Sequence, residues 1–245
     1  MQESKNNKTG IFYGLGVGPG DPELIPVKTA RILLEVDLVF SASSSKNKYS
    51  LATSIASNYL SENTSVRLLP FPMTKDRQEA EKAWEEHSQK IVAKLEQGYN
   101  VAFITLGDPL TYSTYGYLLK IIKRDYPHIQ INTIPGITSY QAGAAAVNTP
   151  LVEGEENLLL LSGVEGGQRL RNITEKVDNV VFLKAYKNLK DIVNTLEECG
   201  HSEHSVGILR CGFPEEEIVW NIQELKDKSP KYWTMVIGKQ NGQKY

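Results

Sequence analysis

The 245-residue chain has few of the features that are typical of secreted, membrane or nucleic-acid-binding proteins. It contains only two cysteines, Cys199 and Cys211, which predicts free thiols and a reducing cytoplasm. No apolar run approaches the about 18 residues of a membrane span, and the polar N-terminal segment lacks the apolar core of a signal peptide. The formal net charge of −2 provides no basic field, so nucleic acid is not expected as a partner.

The two cysteines flank two of the four histidines, a combination that could in principle bind a metal ion. The spacing of Cys199, His201, His204 and Cys211 matches no standard zinc pattern. Gly200 and its polar neighbours are instead typical of a turn between a helix and a strand. We therefore expect no metal site.

Patterns typical of strands and helices alternate along the chain, which predicts the α/β class with parallel sheets covered on both faces. We predict a disordered tail over residues 1–9, an N-terminal domain over 10–134 and a C-terminal domain over 135–245. The predicted strands span residues 11–13, 37–41, 66–69, 101–106, 129–134, 157–161, 180–183, 206–210 and 233–238. One helix is predicted after Asp21 as its N-cap, and the other main helices are predicted over about residues 50–60, 76–97, 115–124, 141–147, 187–198 and 222–226.

Three glycine-containing segments follow predicted strands: Gly14–Glu23, Gly107–Thr114 and Pro135–Ser139. Open α/β sheets bind their ligands at the carboxyl ends of strands. Glycine lets the backbone approach a ligand closely and adopt positive φ. The three segments together predict a cleft for a large bound molecule.

The first segment does not fit a dinucleotide. A Gly-x-Gly-x-x-Gly fingerprint that begins at Gly14 meets Pro19 at its last position, and one that begins at Gly16 meets Asp21. A carboxylate at that position would repel a pyrophosphate at the helix N-terminus. Because Gly-Lys-Ser/Thr is also absent from the sequence, neither a nicotinamide oxidoreductase nor a Walker-type phosphate site is expected.

The sequence Gly-Val-Gly-Pro-Gly-Asp-Pro-Glu, followed by Gly-Asp-Pro-x-x-Tyr-Ser and Pro-Gly-Ile-Thr-Ser, resembles the tetrapyrrole methylases. The resemblance runs in order from about Gly10 to the end. Residues 70–74 and 112–117 are similar, more narrowly, to the branch that methylates C20 of precorrin-2 or cobalt-factor II in cobalamin biosynthesis. It implies two αβα domains with mainly parallel sheets and the active site in the trough between them. It also implies S-adenosyl-L-methionine as cofactor, a tetrapyrrole substrate and a homodimer.

The resemblance further implies a set of cofactor-binding residues. In this family the Gly-Asp-Pro loop wraps the methionine and ribose part of the cofactor largely through backbone groups, and here that loop is Gly107, Asp108 and Pro109. By residue type alone these three form a simple turn. Tyr112 matches a position that packs against the cofactor or faces the substrate, the alternative being a core aromatic.

Further cofactor residues follow from the same resemblance. Thr138 and Ser139 lie against the cofactor carboxylate in the family, although by physics alone they are helix N-cap residues. Lys184 aligns with a contact made mainly by backbone, Gly212 with a glycine beside the adenine, and Thr234 with the point where the last strand touches the adenine.

The first loop, with Gly18, Pro19 and Asp21, lines the substrate trough in the family. The Asp21 carboxylate could accept hydrogen bonds from pyrrole N–H groups, or simply cap a helix. Asp21 and Tyr112 are the catalytic candidates, as weak acceptors of the C20 proton, and a carboxylate of the substrate is the alternative acceptor. One or two cations are expected to bind the substrate's carboxylates, from the set Lys28, Arg31, Lys46, Lys48, Lys75 and Arg77.

Other functions remain open at this stage. A relative acting at another ring carbon, or one methylating diphthamide or ribosomal RNA, would share the motifs, although the charge disfavours RNA. A non-catalytic tetrapyrrole-binding protein is a further alternative. Methyl transfer to an electron-rich carbon depends on orientation more than on a strong base, so the absence of a Ser/His/Asp pattern does not exclude catalysis.

Overall fold

The computed structural model describes residues 8–44, 50–74, 76–173, 175–229 and 231–240. Most of the predicted N-terminal tail, residues 1–7, therefore lies outside the described residues. The chain forms two compact units, of which the first ends at Thr138 and the second begins at Ser139. Each unit contains one five-stranded sheet with helices. No helix in the described part combines the length and the apolarity needed to cross a membrane.

The first unit contains a fully parallel sheet in the order β3-β2-β4-β1-β5. Its strands are β1 (Phe12–Gly16), β2 (Leu38–Ser44), β3 (Ser65–Phe71), β4 (Val101–Thr105) and β5 (Ile131–Ile134). Its helices are α1 (Val27–Glu35), α2 (Leu51–Ala56), α3 (Arg77–Leu95) and α4 (Tyr115–Asp125). Because all five strands are parallel, their carboxyl ends lie along one edge of the sheet.

Strand β4 is buried throughout and supplies side chains to a core on each face of this sheet. Val101 and Phe103 belong to the cluster that includes residues of α3 and α4. Ala102 and Ile104 belong to the cluster that includes residues of α1 and α2. This run of apolar residues without alternation is what a parallel strand covered on both faces requires.

The second unit contains a mixed sheet in the order β6-β7-β10-β8-β9. Its strands are β6 (Leu158–Ser162), β7 (Asn179–Leu183), β8 (Val206–Leu209), β9 (Glu217–Val219) and β10 (Thr234–Lys239). Its helices are α5 (Ser139–Ala146), α6 (Gln168–Arg171) and α7 (Leu189–Glu198).

The predicted α/β class is confirmed, and the first sheet is parallel as predicted. The expectation of mainly parallel strands is wrong for the second sheet, where only β6 and β7 pair in parallel. One physical reason is the short connection from β8 to β9, because a parallel crossover needs about a dozen or more residues. Strand β9 was not predicted, and its three residues are too few to form a clear pattern.

Candidate functional site

Three glycines meet at the carboxyl edge of the first sheet: Gly16 is the last residue of β1, and Gly107 and Gly136 follow the neighbouring strands β4 and β5. A Cβ atom on Gly16 would lie 2.6 Å from the carbonyl oxygen of Gly107, and one on Gly136 would lie 2.1 Å from the same oxygen. The Gly107 N–H donates to the carbonyl oxygen of Gly18 at 2.7 Å. Backbone therefore packs directly on backbone here, which only glycine permits. We call Gly16, Gly107 and Gly136 the glycine junction.

Asp108 connects two of the loops at this junction. Its Oδ1 accepts from the N–H of Leu110 at 2.8 Å and from the hydroxyl of Thr111 at 3.2 Å. Its Oδ2 accepts from the N–H of Gly136 at 3.1 Å. Both carboxylate oxygens thus bind groups of the protein, and the Gly-Asp-Pro loop is tied to the loop that follows β5.

Two positions in the Gly-Asp-Pro loop have left-handed backbone. Gly107 has φ of +69°, and an added Cβ would meet no clash, since the nearest atom would be the carbonyl oxygen of Ile137 at 3.8 Å, an ordinary van der Waals contact. Tyr112 has φ of +50° and is 45% exposed, so it is not a core aromatic. Non-glycine residues in this conformation persist only where the surroundings impose it, and they are enriched at ligand sites.

The glycine-rich segment after the first strand begins later than its sequence suggested. Gly14 and Gly16 lie within β1, not in the loop. An added Cβ on Gly14 would lie 2.1 Å from Cζ of Tyr115, whose ring fills that space in the core. The Tyr115 hydroxyl lies 2.7 Å from Thr133 Oγ1, and burial raises the pKa of Tyr115. Gly14 therefore serves core packing rather than ligand approach.

Asp21 does cap a helix, but a different one from the helix predicted. Its Oδ1 accepts from the N–H of Glu23 at 2.8 Å and caps a single 3₁₀ turn, Pro22–Leu24. Helix α1 begins only after Pro26, whose ring suits the start of a helix. The other oxygen of the Asp21 carboxylate has no hydrogen-bond partner among the described residues.

Gly18 and Pro19, the other two residues predicted to face the substrate, are buried, as is Gly20. Gly18 has φ of +82°, and a Cβ there would lie 2.8 Å from the carbonyl oxygen of Leu24. Pro19 is buried beside it in the chain. Gly18 therefore has a structural requirement for glycine in addition to any contact with a ligand.

Three predicted cofactor residues lie at one edge of the second sheet. Lys184 follows β7, Gly212 follows β8, and Thr234 opens β10. Because β10 runs antiparallel to β8, its first residue, Thr234, pairs with Leu209 at the end of β8. The antiparallel direction of β10 thus places Thr234 at the same edge as Lys184 and Gly212, whereas a parallel β10 would have placed it at the opposite edge.

The polar groups at this second edge are held in place by the protein. Gly212 has φ of +78°, and its N–H donates to Oε2 of Glu216 at 2.8 Å. The buried Thr234 donates its hydroxyl to the carbonyl oxygen of Lys231 at 2.6 Å. Lys184 has left-handed backbone with φ of +57°, and although much of the residue is exposed, desolvation of its ammonium group lowers its pKa.

Aromatic residues lie next to Lys184, Gly212 and Thr234 along the chain, a feature that was not predicted from the sequence. The ring centroids of Tyr186 and Tyr232 are 5.0 Å apart, and those of Tyr232 and Trp233 are 5.3 Å apart. Phe213 lies 5.8 Å from Trp233. The rings stand within two residues of Lys184, Gly212 or Thr234 in the sequence, which is the signal that could have identified them.

Helix α5 begins at Ser139, which leaves Thr138 directly before it. Thr138 is buried, and Ser139 is half-buried. The predicted position of the pair at a helix N-terminus is confirmed. The first unit ends at Thr138 and the second begins at Ser139, so the pair also lies where the chain passes from one unit to the next.

The cations proposed for the substrate are mostly solvent-exposed or outside the described structure. Lys28 and Arg31 are exposed on α1. Arg77 forms an ion pair with Glu81 at 2.7 Å on the exposed surface of α3. Lys46, Lys48 and Lys75 lie outside the described residues.

The cysteine and histidine side chains near residue 200 are used in packing. His201 is buried, and its Nε2 lies 2.9 Å from the carbonyl oxygen of Val177. Burial of Cys211 raises the pKa of its thiol to about 12. In the part of the chain that the structure describes, no set of three His, Cys, Asp or Glu side chains is arranged to hold a metal ion.

Comparison with known proteins identifies relatives of this arrangement. Cobalt-precorrin-2 C(20)-methyltransferase of Salmonella typhimurium is 34% identical over 94% of this chain and 97% of its own length. A probable cobalt-precorrin-2 C(20)-methyltransferase of Methanocaldococcus jannaschii is 35% identical over 84% of this chain and 85% of its own length.

Among solved structures, the fold resembles uroporphyrin-III C-methyltransferase from Thermus thermophilus complexed with S-adenosylhomocysteine. The TM-score is 0.65 at 21% identity, with 94% of this chain and 97% of that chain covered. The tetrapyrrole (corrin/porphyrin) methylase profile matches residues 12–226. With glycine-rich loops at the strand ends, this fold and these relatives, the chain belongs to the tetrapyrrole (corrin/porphyrin) methylases.

Proposed function

We propose that this chain transfers a methyl group from S-adenosyl-L-methionine to C20 of precorrin-2 or cobalt-factor II in cobalamin biosynthesis. The observation that carries the proposal is the similarity, at 34–35% identity over most of the chain, to two proteins named for C20 methylation. A relative named for C11 methylation is 24% identical. The proposal includes a cytoplasmic location and a homodimer, as the family resemblance implies.

The first unit offers features that suit the cofactor. No atom would lie closer than 3.8 Å to a Cβ on Gly107, so the position is not crowded and a ligand can approach the backbone there. The Thermus thermophilus neighbour was solved with S-adenosylhomocysteine, which supports the same cofactor here. We assign to cofactor binding Gly107, Asp108, Pro109, Tyr112 and Thr138.

The second unit contributes a different kind of surface to the proposal. Ser139, Lys184, Gly212 and Thr234 are assigned to the cofactor by the family resemblance. The rings beside them supply the apolar surface that a purine needs, because aromatic side chains prefer other π-systems as neighbours. The left-handed backbone at Lys184 and Gly212 agrees with contacts made mainly by main-chain groups.

The bound cofactor supplies an electrophilic methyl group on a positively charged sulfur. The chain's contribution is to orient the substrate carbon toward that methyl group and to exclude water, which can supply roughly 7–11 kcal/mol in favourable cases. Gly18, Pro19 and Asp21 are assigned to the substrate. The C20 proton is accepted by the second carboxylate oxygen of Asp21 or by the hydroxyl of Tyr112, and these two residues are the catalytic candidates.

The product identifies the reaction directly. The purified protein would be incubated with methyl-¹³C cofactor and either precorrin-2 or cobalt-factor II, and the product examined by mass spectrometry and ¹³C NMR. We expect one added methyl at C20. A methyl at another ring carbon would assign the chain to a different branch of the family. Calorimetry that detects NADH but not S-adenosylhomocysteine would overturn the assignment altogether.

A further inference from the structure

Thr105, the last residue of β4, has a buried hydroxyl that the protein leaves unused. The residue is 7% exposed, and its Oγ1 has no hydrogen-bond partner among the described residues. Leaving a buried hydroxyl unsatisfied is unfavourable, and such groups are uncommon in folded proteins. A hydrogen bond from this hydroxyl to a bound ligand would satisfy it.

The side chain of Thr105 points to the face of the sheet where the glycine junction packs. Along β4, Val101 and Phe103 face the cluster of α3 and α4, so alternation places Thr105 on that same face. Thr105 pairs with Gly16 on β1, and paired residues of parallel strands share a face. The space that a side chain of Gly16 would occupy holds the backbone of Gly107 and Gly136.

The hydroxyl therefore lies beside the place where two loops meet, and two residues before Gly107 in the sequence. The Gly136 N–H already donates to the Asp108 carboxylate, and the Gly107 N–H donates to the carbonyl oxygen of Gly18. Neither N–H group therefore donates to the Thr105 hydroxyl. A threonine hydroxyl can both donate and accept, which suits the hydroxyl, carboxylate and ammonium groups of the cofactor's ribose and methionine parts.

We propose that the Thr105 hydroxyl is a further cofactor-binding group, hydrogen-bonded to the methionine or ribose part of S-adenosylmethionine. The inference rests on the proposed function, because it takes the Gly-Asp-Pro loop as the cofactor loop. Thr105 precedes the Gly-Asp-Pro motif, and its proposed contact with the cofactor is made by a side chain rather than by the backbone.

A matched threonine provides the control. Thr29 in α1 is fully buried, and its Oγ1 likewise has no partner among the described residues. It shares a helix face with Ile32 and Leu33, which pack on the opposite side of the sheet. Thr→Val keeps the shape of the side chain and removes only the hydroxyl, so Thr29→Val and Thr105→Val make the same chemical change at two places.

The test measures S-adenosylhomocysteine binding by calorimetry and melting of the ligand-free protein for wild type, Thr105→Val, Thr105→Ser and Thr29→Val. We expect Thr105→Val to bind about fivefold more weakly, the factor for one neutral hydrogen bond of about 1 kcal/mol. Its melting temperature should equal or exceed that of wild type, because an unsatisfied hydroxyl is removed. Thr105→Ser and Thr29→Val should bind like wild type.

Equal affinity of Thr105→Val and wild type would overturn the inference, because the hydroxyl would then make no hydrogen bond to the cofactor. A weaker affinity accompanied by a lower melting temperature, or shared by Thr29→Val, would also overturn it, because the effect would then be structural. Failure of wild type itself to bind S-adenosylhomocysteine would instead contradict the proposed function.

Discussion

At the scale of single residues, neighbouring glycines have different roles. Gly14 makes room for the ring of Tyr115, Gly16 and Gly136 allow backbone to pack on backbone, and Gly107 has no atom closer than 3.8 Å to its Cβ position. Only the last of these leaves room for a ligand. A glycine-rich motif therefore does not assign each of its glycines to binding, and the surroundings of each position decide its role.

Substitution of Gly107 separates these roles. Valine is a poor probe because φ of +69° strains a β-branched side chain, so a change of stability would accompany any change of affinity. We predict that Gly107→Ala weakens S-adenosylhomocysteine binding at least tenfold, about 1.4 kcal/mol, since its Cβ would enter the space assigned to the cofactor. Gly200→Ala is the control, because Gly200 has φ of +76° and an added Cβ there would likewise meet no clash.

Both alanine variants should lose about 1–2 kcal/mol of folding free energy from the left-handed backbone, as urea unfolding would measure. Only Gly107→Ala should lose affinity in calorimetry. Equal affinity of the two variants would make Gly107 a turn residue without a part in binding.

Asp21 offers a second test at this scale. Asp21→Asn keeps one oxygen to accept the Glu23 N–H, and Asn caps as well as Asp, so stability should stay within about 0.5 kcal/mol. The second oxygen becomes an amide that donates, which removes an acceptor for a pyrrole N–H or a proton. We predict unchanged S-adenosylhomocysteine affinity and methyl transfer slowed about tenfold or more in single-turnover assays. Full activity would leave Asp21 as a helix cap alone.

At the scale of elements, the carboxylate of Asp108 joins the loop after β4 to the loop after β5. Asp108→Asn leaves one acceptor oxygen in place of two. Either the hydrogen bonds from Leu110 and Thr111 or the hydrogen bond from Gly136 is therefore lost. We predict a stability loss of about 1–3 kcal/mol in urea unfolding, because a backbone N–H loses a charged acceptor. Affinity for S-adenosylhomocysteine should fall as well, since the tie that positions the loop is lost.

The control for Asp108 is Asp76, the N-cap of α3. Asp76 accepts from the N–H groups of Gln78 and Glu79 with a single oxygen, Oδ1. Asn provides that oxygen equally well, so Asp76→Asn should change neither stability nor affinity by a measurable amount. If the two variants behave alike, Asp108 is an ordinary cap and does not hold the loops together.

At the scale of the whole molecule, the two units place their proposed site residues at one edge of each sheet by different strand arrangements. The first does so with parallel strands, whose carboxyl ends share an edge by construction. The second does so with a mixed sheet, in which β10 enters from the opposite direction and presents its first residue, Thr234, at that edge. The family and the α/β class hold for the chain as a whole, whereas strand direction differs between the units.

Local sequence was sufficient to predict the α/β class, most helices and strands, and the loops that carry the family motifs. The reason is that hydrophobic pattern, glycine and proline act within a few residues, as at β4 and in the turn after it. The same sequence also excluded a dinucleotide fingerprint, because Pro19 and Asp21 occupy the positions that glycine would need.

Tertiary structure alone decided what those local features do. The pairing of β10 with β7 and β8 depends on contacts distant in sequence, so alternation of elements could not reveal its direction. Asp108 reads as a turn residue until Gly136, 28 positions away, is placed beside its carboxylate. The unpartnered hydroxyl of Thr105 becomes visible only when all its neighbours are known, because a missing hydrogen bond is a property of the packed structure and not of the chain.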